Sequence, residues 1–287
     1  MRTLAKPWKS AFRLPKLHGR QRALLSAGSA LAFLLFIWLG SVFLPEGGLQ
    51  SQLELRNVPP SPEHLFGTDW LGRDMLTRTW KGLQLSLQVG FIAGGISVIL
   101  ATVLGLSAAA FGKGVDRVIT WLIDLFLSVP HLVALILIAF VLGGGAKGVI
   151  AGVALTHWPA LTRVIRAEVL RLRSSEYVLI SKRMGKSAYW IGSRHLLPHL
   201  LPQLLTGLVL VIPHAILHEA AVTFVGLGLS PHEPAIGVIL SESMRYLSAG
   251  LWWLAVFPGL CLFLVVRSIA QLGEQCRLLT DPHHSHD

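Results

Sequence analysis

The sequence predicts an all-α membrane protein with six transmembrane helices and with both termini in the cytoplasm. Of its 287 residues, 53% are hydrophobic and only 14% are Asp, Glu, Lys or Arg, and the mean hydropathy is +0.60. A soluble domain carries about 25% charged residues, so the composition argues against a water-soluble globule. Six apolar stretches are long enough, at about 20 residues each, to cross a hydrocarbon core as helices. Lys and Arg concentrate in alternate connections between those stretches.

The six predicted spans follow one another along the chain. They cover roughly 23–44, 83–111, 118–142, 149–170, 196–229 and 247–271. The first span follows seven basic residues but leads to no small-x-small cleavage site, so we interpret it as a retained anchor helix and not as a signal peptide. The second and fifth spans are longer than a straight crossing needs. We therefore expect them to tilt, to extend beyond the bilayer, or to kink at Pro198, Pro202 or Pro213.

The distribution of basic residues predicts the orientation of these spans. Short cytoplasmic loops retain Lys and Arg, whereas translocated loops contain few. With the N-terminus inside, the predicted cytoplasmic segments hold 19 of the 25 basic residues and the outer segments hold six. The formal charge of +10 therefore follows from membrane topology. A nucleic-acid partner is not indicated, because no basic stripe interleaved with aromatic residues occurs outside the loops.

The spans and loops divide the chain into five parts. We assign 1–22 to a basic cytoplasmic N-terminus, 23–44 to the anchor helix, 45–82 to a periplasmic loop, 83–271 to a five-helix core with a cytoplasmic loop at 171–195, and 272–287 to a His-rich cytoplasmic tail. No stretch resembles an appended soluble domain or a short-period repeat. A single membrane domain is the expected organisation.

Two local patterns resemble catalytic motifs but lack the spacing that the chemistry needs. The sequence Gly-Lys-Ser at 185–187 matches the end of a phosphate-binding loop, whose turn needs a glycine five positions before the second glycine; that position is Ile180. His218 and Glu219 begin a zinc-protease helix motif, but the residue four positions after His218 is Val222 and not a second histidine. Neither ATP binding nor metalloprotease activity is predicted.

A stretch in the long outer loop carries a more specific pattern, reading HLFGTDWLGRDMLTR at 64–78. Read as chemistry, Asp69, Arg73 and Asp74 could pair with one another, while two glycines serve turns. Read as a pattern, the stretch closely resembles the Gly-Thr-Asp-x-x-Gly-Arg-Asp segment of the dipeptide, oligopeptide and nickel permease family of bacterial ABC importers.

A second informative stretch lies in the predicted cytoplasmic loop at 176–198, reading EYVLISKRMGKSAYWIGSRHLLP. Its residues at steps of three and four form an apolar stripe, which predicts one basic amphipathic helix; they are Tyr177, Ile180, Met184, Ser187 and Ile191. Such a helix suits a groove on a partner protein, and a helix that lies on the lipid surface is the alternative.

In the permease family this place holds the coupling helix, which docks into the separate ATPase subunit and ideally reads Glu-Ala-Ala-x-x-x-Gly. The glycine is present here, whereas Leu179, Ile180 and Ser181 replace the Glu-Ala-Ala core, so the fit to the ATPase groove is expected to differ in detail. The resemblance assigns coupling to the ATPase to five residues, which are Glu176, Tyr177, Ile180, Met184 and Gly185.

A third stretch, 217–228 in the fifth span, is similar to the family's Leu-Glu-Ala-Ala-x-x-Phe-Leu-Gly-Leu-Gly segment, and the resemblance extends roughly from 60 to 275. It implies a multi-pass permease of the bacterial inner membrane, in contact with lipid, that works with a second permease subunit, two ATPase subunits and a periplasmic substrate-binding protein. The chain itself is expected to hold no cofactor and to be no enzyme, with ATP bound by the partner subunits. A secondary transporter without ATPase partners and a membrane enzyme are the alternatives from other classes.

The ionisable residues of the fifth span are candidates for the substrate path. Such groups cost several kcal/mol in a membrane helix unless they face an interior or a pathway. His214 and His218 are four residues apart and share a helix face, so both imidazoles can approach one metal ion, whereas Glu219 points about 100° away from His218. We place His214, His218 and Glu219 on the substrate path and treat the two histidines as candidate metal ligands. A structural role in helix packing is the alternative for both histidines.

The family resemblance implies a cargo of peptides, nickel or metal chelates. Paired histidines at this place in the fifth span resemble the nickel branch, so nickel or another divalent transition metal, free or chelated, is the predicted cargo. Dipeptides or oligopeptides are the alternative.

The C-terminal tail is a second place where histidines cluster. His283, His284 and His286 lie within four residues, and such a group can bind nickel or zinc in a flexible segment at the predicted cytoplasmic exit. A solvated tail without function is the alternative. The remaining histidines are scattered and are interpreted as mostly structural or interfacial; they are His18, His64, His131, His157, His195, His199 and His232.

Overall fold

A computed structural model describes residues 19–280, and the fold of this part is helical, with no β-strand among these residues. Its helices are α1 (Gly19–Phe43), α2 (Met75–Ala110), α3 (Lys113–Ser128), α4 (His131–Val141), α5 (Gly145–Arg173), α6 (Glu176–Arg183), α7 (Ala188–Ile191), α8 (Leu197–Phe224), α9 (Ile236–Tyr246) and α10 (Trp253–Thr280). A π-helical segment, Gly192–Leu196, joins α7 to α8. The all-α class predicted from composition is confirmed.

Five of these helices are long and apolar enough to cross a membrane, and α3 with α4 makes a sixth if this bent pair is one span. The axes of α3 and α4 differ by 99°. The bend lies at Pro130, because proline pushes the preceding residue out of the helical region, and Val129 accordingly has an extended ψ of 136°. The prediction of one continuous helix over 118–142 is therefore wrong at this point.

The start of α2 also differs from the predicted span. The helix begins at Met75, eight residues before the predicted boundary at 83. Asp74 caps this end, since its carboxylate accepts hydrogen bonds from the backbone N–H and from the hydroxyl of Thr77, both at 2.8 Å. The first turns of α2 are polar, so hydropathy assigned them to the loop.

In the C-terminal part of the chain, two glycines mark helix boundaries that hydropathy did not predict. The fifth predicted span ends at 229, but α8 stops at Phe224 before a turn in which Gly226 has a φ of +87°. The sixth begins at 247, but α10 starts at Trp253, after Gly250 with a φ of +84°. Positive φ is readily adopted by glycine and stops a helix. The amphipathic helix α9 lies between these turns.

The long helices pack around α2, which lies against α5 and α8, while α1 and α10 lie side by side and α4 packs on α5. The contact between α4 and α5 is close because α5 has glycines where it meets the backbone of α4. A Cβ atom on Gly148 would lie 2.5 Å from the carbonyl oxygen of Ala139, and one on Gly152 would lie 2.9 Å from that of Leu135. This close approach brings the beginning of α4 to the middle of α5.

The loop before α2 is organised around the buried carboxylate of Asp69. This side chain is fully buried and accepts hydrogen bonds from the guanidinium groups of Arg73 at 2.7 Å and of Arg78 at 2.6 Å. Arg78 also donates to Glu242 of α9 at 2.8 Å, which ties the loop, α2 and α9 together. The expected pairing of Asp69 with Arg73 is confirmed.

Asp74, the third charged residue of this pattern, has different partners. Oδ1 of Asp74 lies 3.1 Å from Nδ1 of His64, while Oδ2 caps α2. The carboxylate therefore fastens the beginning of the loop pattern to the first turn of the helix.

Candidate functional site

A cavity of about 1230 Å³ runs along α5 and α8. Apolar side chains such as Leu161, Val164 and Val211 form much of its wall. The imidazoles of His131, His157, His214 and His218 lie towards one end. Glu168 and Arg171, which follow His157 on α5 by 11 and 14 positions, lie towards the other end, where His199 near the start of α8 also lines the wall. At 1.5 Å per residue, the cavity extends roughly 20 Å along α5.

Three imidazoles from three different helices meet in the wall of this cavity. The ring centroids of His131 and His218 are 4.4 Å apart, those of His131 and His157 are 4.6 Å apart, and those of His157 and His218 are 5.4 Å apart. All three side chains are partly exposed. We call these three residues the histidine cluster.

The fold explains how residues so distant in sequence come together. His131 is the first residue of α4, directly after the bend at Pro130, so the change of direction brings its side chain to α5 and α8. His157 lies near the middle of α5, and His218 lies in the last two turns of α8. The cluster therefore depends on the bend and on the close packing of α4 against α5.

Hydrogen bonding defines which ring nitrogens are available for ligation. Nδ1 of His157 lies 2.8 Å from the carbonyl oxygen of Val153, and because a carbonyl only accepts, Nδ1 carries the proton and Nε2 keeps its lone pair. Nδ1 of His131 is buried and has no hydrogen-bond partner among the described residues. Both arrangements leave a basic nitrogen for another group.

The cluster has the composition of a transition-metal site, and its nitrogens lie somewhat further apart than bound ligands would. One nitrogen from each ring can be chosen so that all lie within 4.8 Å of one another. Tetrahedral ligation at 2.0–2.1 Å places ligand nitrogens roughly 3.4 Å apart. Any two of these nitrogens would therefore need to approach each other by at most roughly 1.5 Å to reach the spacing of tetrahedral ligation.

The sequence-predicted path residues occupy three different environments. His218 belongs to the histidine cluster. His214 lines the same cavity, but its Nδ1 is held at 2.9 Å from the carbonyl oxygen of Leu210, and it lies outside the group of three. Glu219 is fully buried away from the cavity wall, where its carboxylate accepts hydrogen bonds from Ser86 at 2.6 Å and Thr223 at 3.0 Å.

Two members of the cluster were missed by the sequence reasoning. His131 and His157 were interpreted as scattered structural histidines, although both fall inside predicted spans, at 118–142 and 149–170. The rule applied to the fifth span, that an ionisable residue in a membrane helix is a functional candidate, would have selected both. The tail histidines His283, His284 and His286 lie outside the described residues.

The predicted coupling segment is broken and is not one helix. α6 ends at Arg183, Gly185 follows with a φ of +77°, and Ser187 caps the short α7 by accepting a hydrogen bond from the backbone N–H of Trp190 at 3.2 Å. The prediction of a single amphipathic stripe over 177–191 is wrong for this reason, because a glycine in the left-handed region ends the helix.

The five coupling candidates nevertheless fall in one connected segment with a clear division between buried and exposed faces. Val178 and Ile191 are buried in the core with α5. Ile180, Met184 and Tyr189 are exposed by 56%, 72% and 86%. Glu176 and Gly185 are exposed, and Tyr177 is half-buried. The segment is thus fastened to α5 and presents apolar side chains outward.

Comparisons with known proteins place the chain among transport proteins. The sequence model of the family described as "Binding-protein-dependent transport system inner membrane component" matches residues 101–275. The chain is 31% identical over 265 residues to the dipeptide transport system permease protein DppC of Bacillus subtilis, a match that covers 92% of this chain and 83% of the relative. It is 32% identical over 280 residues to the protein of the same name in Alkalihalophilus pseudofirmus, a match that covers 98% of this chain and 91% of the relative.

The fold has a counterpart among solved structures. The chain is similar, with a TM-score of 0.58 and 18% identity, to a chain of the MetNI methionine ABC transporter in an inward-facing conformation. The match covers 72% of this chain and 98% of the other. At this identity the likeness concerns the fold.

Proposed function

The chain belongs to the family of binding-protein-dependent transport system inner membrane components, and we propose that it is a permease subunit of an ATP-driven importer of dipeptides or oligopeptides. As a member of this family it is a multi-pass protein of the bacterial inner membrane. The observation that supports the cargo is the similarity, at 31–32% identity over nearly the whole chain, to two dipeptide permeases. The nickel branch, which the paired histidines favoured, gains no support from these relatives.

We propose the cavity along α5 and α8 as this subunit's part of the translocation path. Its volume of about 1230 Å³ exceeds the roughly 300–1,000 Å³ of ordinary small-molecule pockets, so it has room for a dipeptide with water. The apolar middle of the wall provides few fixed hydrogen-bond partners, which favours passage over tight retention.

The exposed apolar surface of the coupling segment supports contact with an ATPase subunit. Side chains such as Met184 and Tyr189 are costly to leave in water and suit a groove on a partner. In the proposed assembly a second permease completes the path, two ATPase subunits bind ATP, and a substrate-binding protein delivers the peptide. Because Val178 and Ile191 fasten the segment to α5, its displacement by the ATPase would be transmitted to a helix of the cavity.

A divalent transition metal, free or chelated, is the second candidate cargo. The observation that favours it is the position of four of the five lining imidazoles near one end of the cavity, those of His131, His157, His214 and His218. Imidazole is a good ligand for nickel, zinc, cobalt and copper ions.

One experiment separates the two cargoes. Cells that express the transporter genes encoded beside this chain, with and without the chain itself, would be tested for uptake of a labelled dipeptide and of radioactive nickel. We expect chain-dependent accumulation of the dipeptide that excess unlabelled dipeptide suppresses. Chain-dependent nickel uptake that dipeptide leaves unchanged, with no dipeptide accumulation, would contradict the peptide proposal and support the metal cargo.

A further inference from the structure

We propose that His131, His157 and His218 form a binding site for one divalent transition-metal ion in the wall of the cavity. This inference goes beyond peptide import, for which the chain needs no metal site, and it concerns binding and not cargo. Its starting point is that three imidazoles from three separate helices converge, with one nitrogen of each within 4.8 Å of the others.

The identity of the ligands selects the class of metal. The group consists of histidines alone, without a carboxylate, which suits zinc, nickel, cobalt or copper ions and not calcium or magnesium. The hydrogen bond from Nδ1 of His157 to the carbonyl oxygen of Val153 resembles the outer-shell contact that orients histidine ligands in metal sites. With Nδ1 engaged in this way, Nε2 is the ring nitrogen that remains for ligation.

A second observation points to a ligand at this place. Nδ1 of His131 is buried and has no hydrogen-bond partner among the described residues. A buried nitrogen without a partner is unfavourable, and ligation of a metal ion by the lone pair of this ring would satisfy it.

The cluster leaves part of the coordination sphere open. Three protein ligands with the remaining position turned to a cavity are typical of sites that exchange their fourth ligand, whereas closed structural sites have four protein ligands. A bound ion would also join α4, directly after the bend, to α5 and α8. The site is thus expected to bind reversibly and to stabilise the contact between these helices.

The test uses the full chain in its assembled transporter, purified through an affinity tag without histidines and placed in lipid nanodiscs. His283, His284 and His286 are replaced by Ala in every sample, since the tail is itself expected to bind metal. Each sample is titrated calorimetrically with nickel chloride and with zinc chloride, and the ions retained after gel filtration are counted by mass spectrometry. We expect the parent protein to retain about one ion per chain more than each of the variants His131→Ala, His157→Ala and His218→Ala. Each variant should bind the metal at least tenfold more weakly than the parent.

Matched variants distinguish ligation from packing. His199→Ala removes another histidine of the cavity wall, and His232→Ala removes an exposed histidine elsewhere; both are expected to bind metal as the parent does. His131→Cys is close to His131→Ala in size but retains a metal-binding donor, so it should recover zinc binding that the alanine variant loses.

The proposal is overturned by unchanged metal binding in the alanine variants, by no retained ion in the parent, or by equal loss in His131→Cys and His131→Ala. If an alanine variant does not assemble, the corresponding glutamine variant, which keeps a polar side chain of similar length, is measured in its place. X-ray absorption at the nickel edge provides the final criterion, because imidazole ligands give a multiple-scattering pattern that water and carboxylate ligands lack.

Discussion

Asp69 illustrates how one buried carboxylate organises a loop. Its oxygens accept hydrogen bonds from the backbone N–H groups of Leu71 and Arg73 and from the guanidinium groups of Arg73 and Arg78. Burial of a charge is costly unless it is paired, and the loss of one partner leaves the others uncompensated. The side chain of Arg78 is only 3% exposed, so it depends strongly on this carboxylate.

The replacement Asp69→Asn should therefore destabilise the protein by about 3 kcal/mol, because the amide keeps the shape but leaves buried Arg78 without its main counter-charge. The matched control is Asp124→Asn, since Asp124 pairs with Arg163 at a site where both side chains are more than half exposed, and its loss should cost below about 1 kcal/mol. Chemical unfolding in detergent measures both. Equal stability of the two variants would contradict the role of Asp69.

For individual residues, the sequence pattern predicted contacts between near neighbours in the chain and missed contacts between distant residues. The pairing of Asp69 with Arg73 lies within four residues and was readable from the sequence. The cluster of His131, His157 and His218 joins residues up to 87 positions apart, and periodicity along one helix could only indicate the pair His214 and His218. The contact that forms instead follows from the bend at Pro130.

The pair α4 and α5 shows how element packing positions the histidine cluster. Gly148 and Gly152 let the backbone of α4 approach α5, and the beginning of α4 carries His131 to His157. Hydropathy predicted that both segments are apolar helices, but a continuous apolar stretch contains no information about a 99° change of direction. Only Pro130 signalled it.

The replacement Gly148→Ala should separate these helices. The added methyl group would lie 2.5 Å from the carbonyl oxygen of Ala139, which is backbone and must move, at a cost of about 1–3 kcal/mol. Gly95→Ala is the control, because nothing lies within 4 Å of its Cβ position in α2, and it should be neutral or stabilising by up to about 1 kcal/mol. Thermal unfolding of the two purified variants decides; a Gly148→Ala protein as stable as Gly95→Ala would refute the close contact.

The coupling segment is the second place where element structure decides function. Met184 follows the last residue of α6, with 72% of its surface exposed, just before the helix break at Gly185. The replacement Met184→Asp should abolish co-purification of the ATPase subunit and uptake, because a charge would be buried in the proposed groove. Met184→Leu retains an apolar side chain of similar volume and should preserve both. Normal ATPase binding by Met184→Asp would place the contact elsewhere.

At the scale of the whole molecule, the charge distribution predicts the orientation in the membrane. Within residues 19–280 the candidate spans number five, or six if α3 and α4 form one span, and six is the number that hydropathy indicated, because long apolar stretches are the strongest signal in a membrane sequence. Orientation depends on the loops, and its prediction rests on the 19 basic residues in the segments assigned to the cytoplasm against six in the outer segments.

Thiol labelling tests this orientation. In a Cys261→Ser background, the exposed Cys276 near the end of α10 should react with a membrane-impermeant maleimide only in inside-out vesicles. A matched chain that carries Ser51→Cys with Cys276→Ser should react only in intact cells, since Ser51 lies exposed in the loop predicted to face outward. The reversed result in both chains would invert the predicted topology.

The ion pair between Arg78 and Glu242 has a consequence for biogenesis. The two residues are 164 positions apart, so at about 5–20 residues per second the ribosome needs roughly 8–33 s after Arg78 to synthesise Glu242. Asp69, only nine positions before Arg78, is already available during this interval and can neutralise the guanidinium while α2 inserts. The nascent chain can thus close this loop before α9 has been made, and the contact with Glu242 is added later, when α10 is the one α-helix of the described residues still to be synthesised.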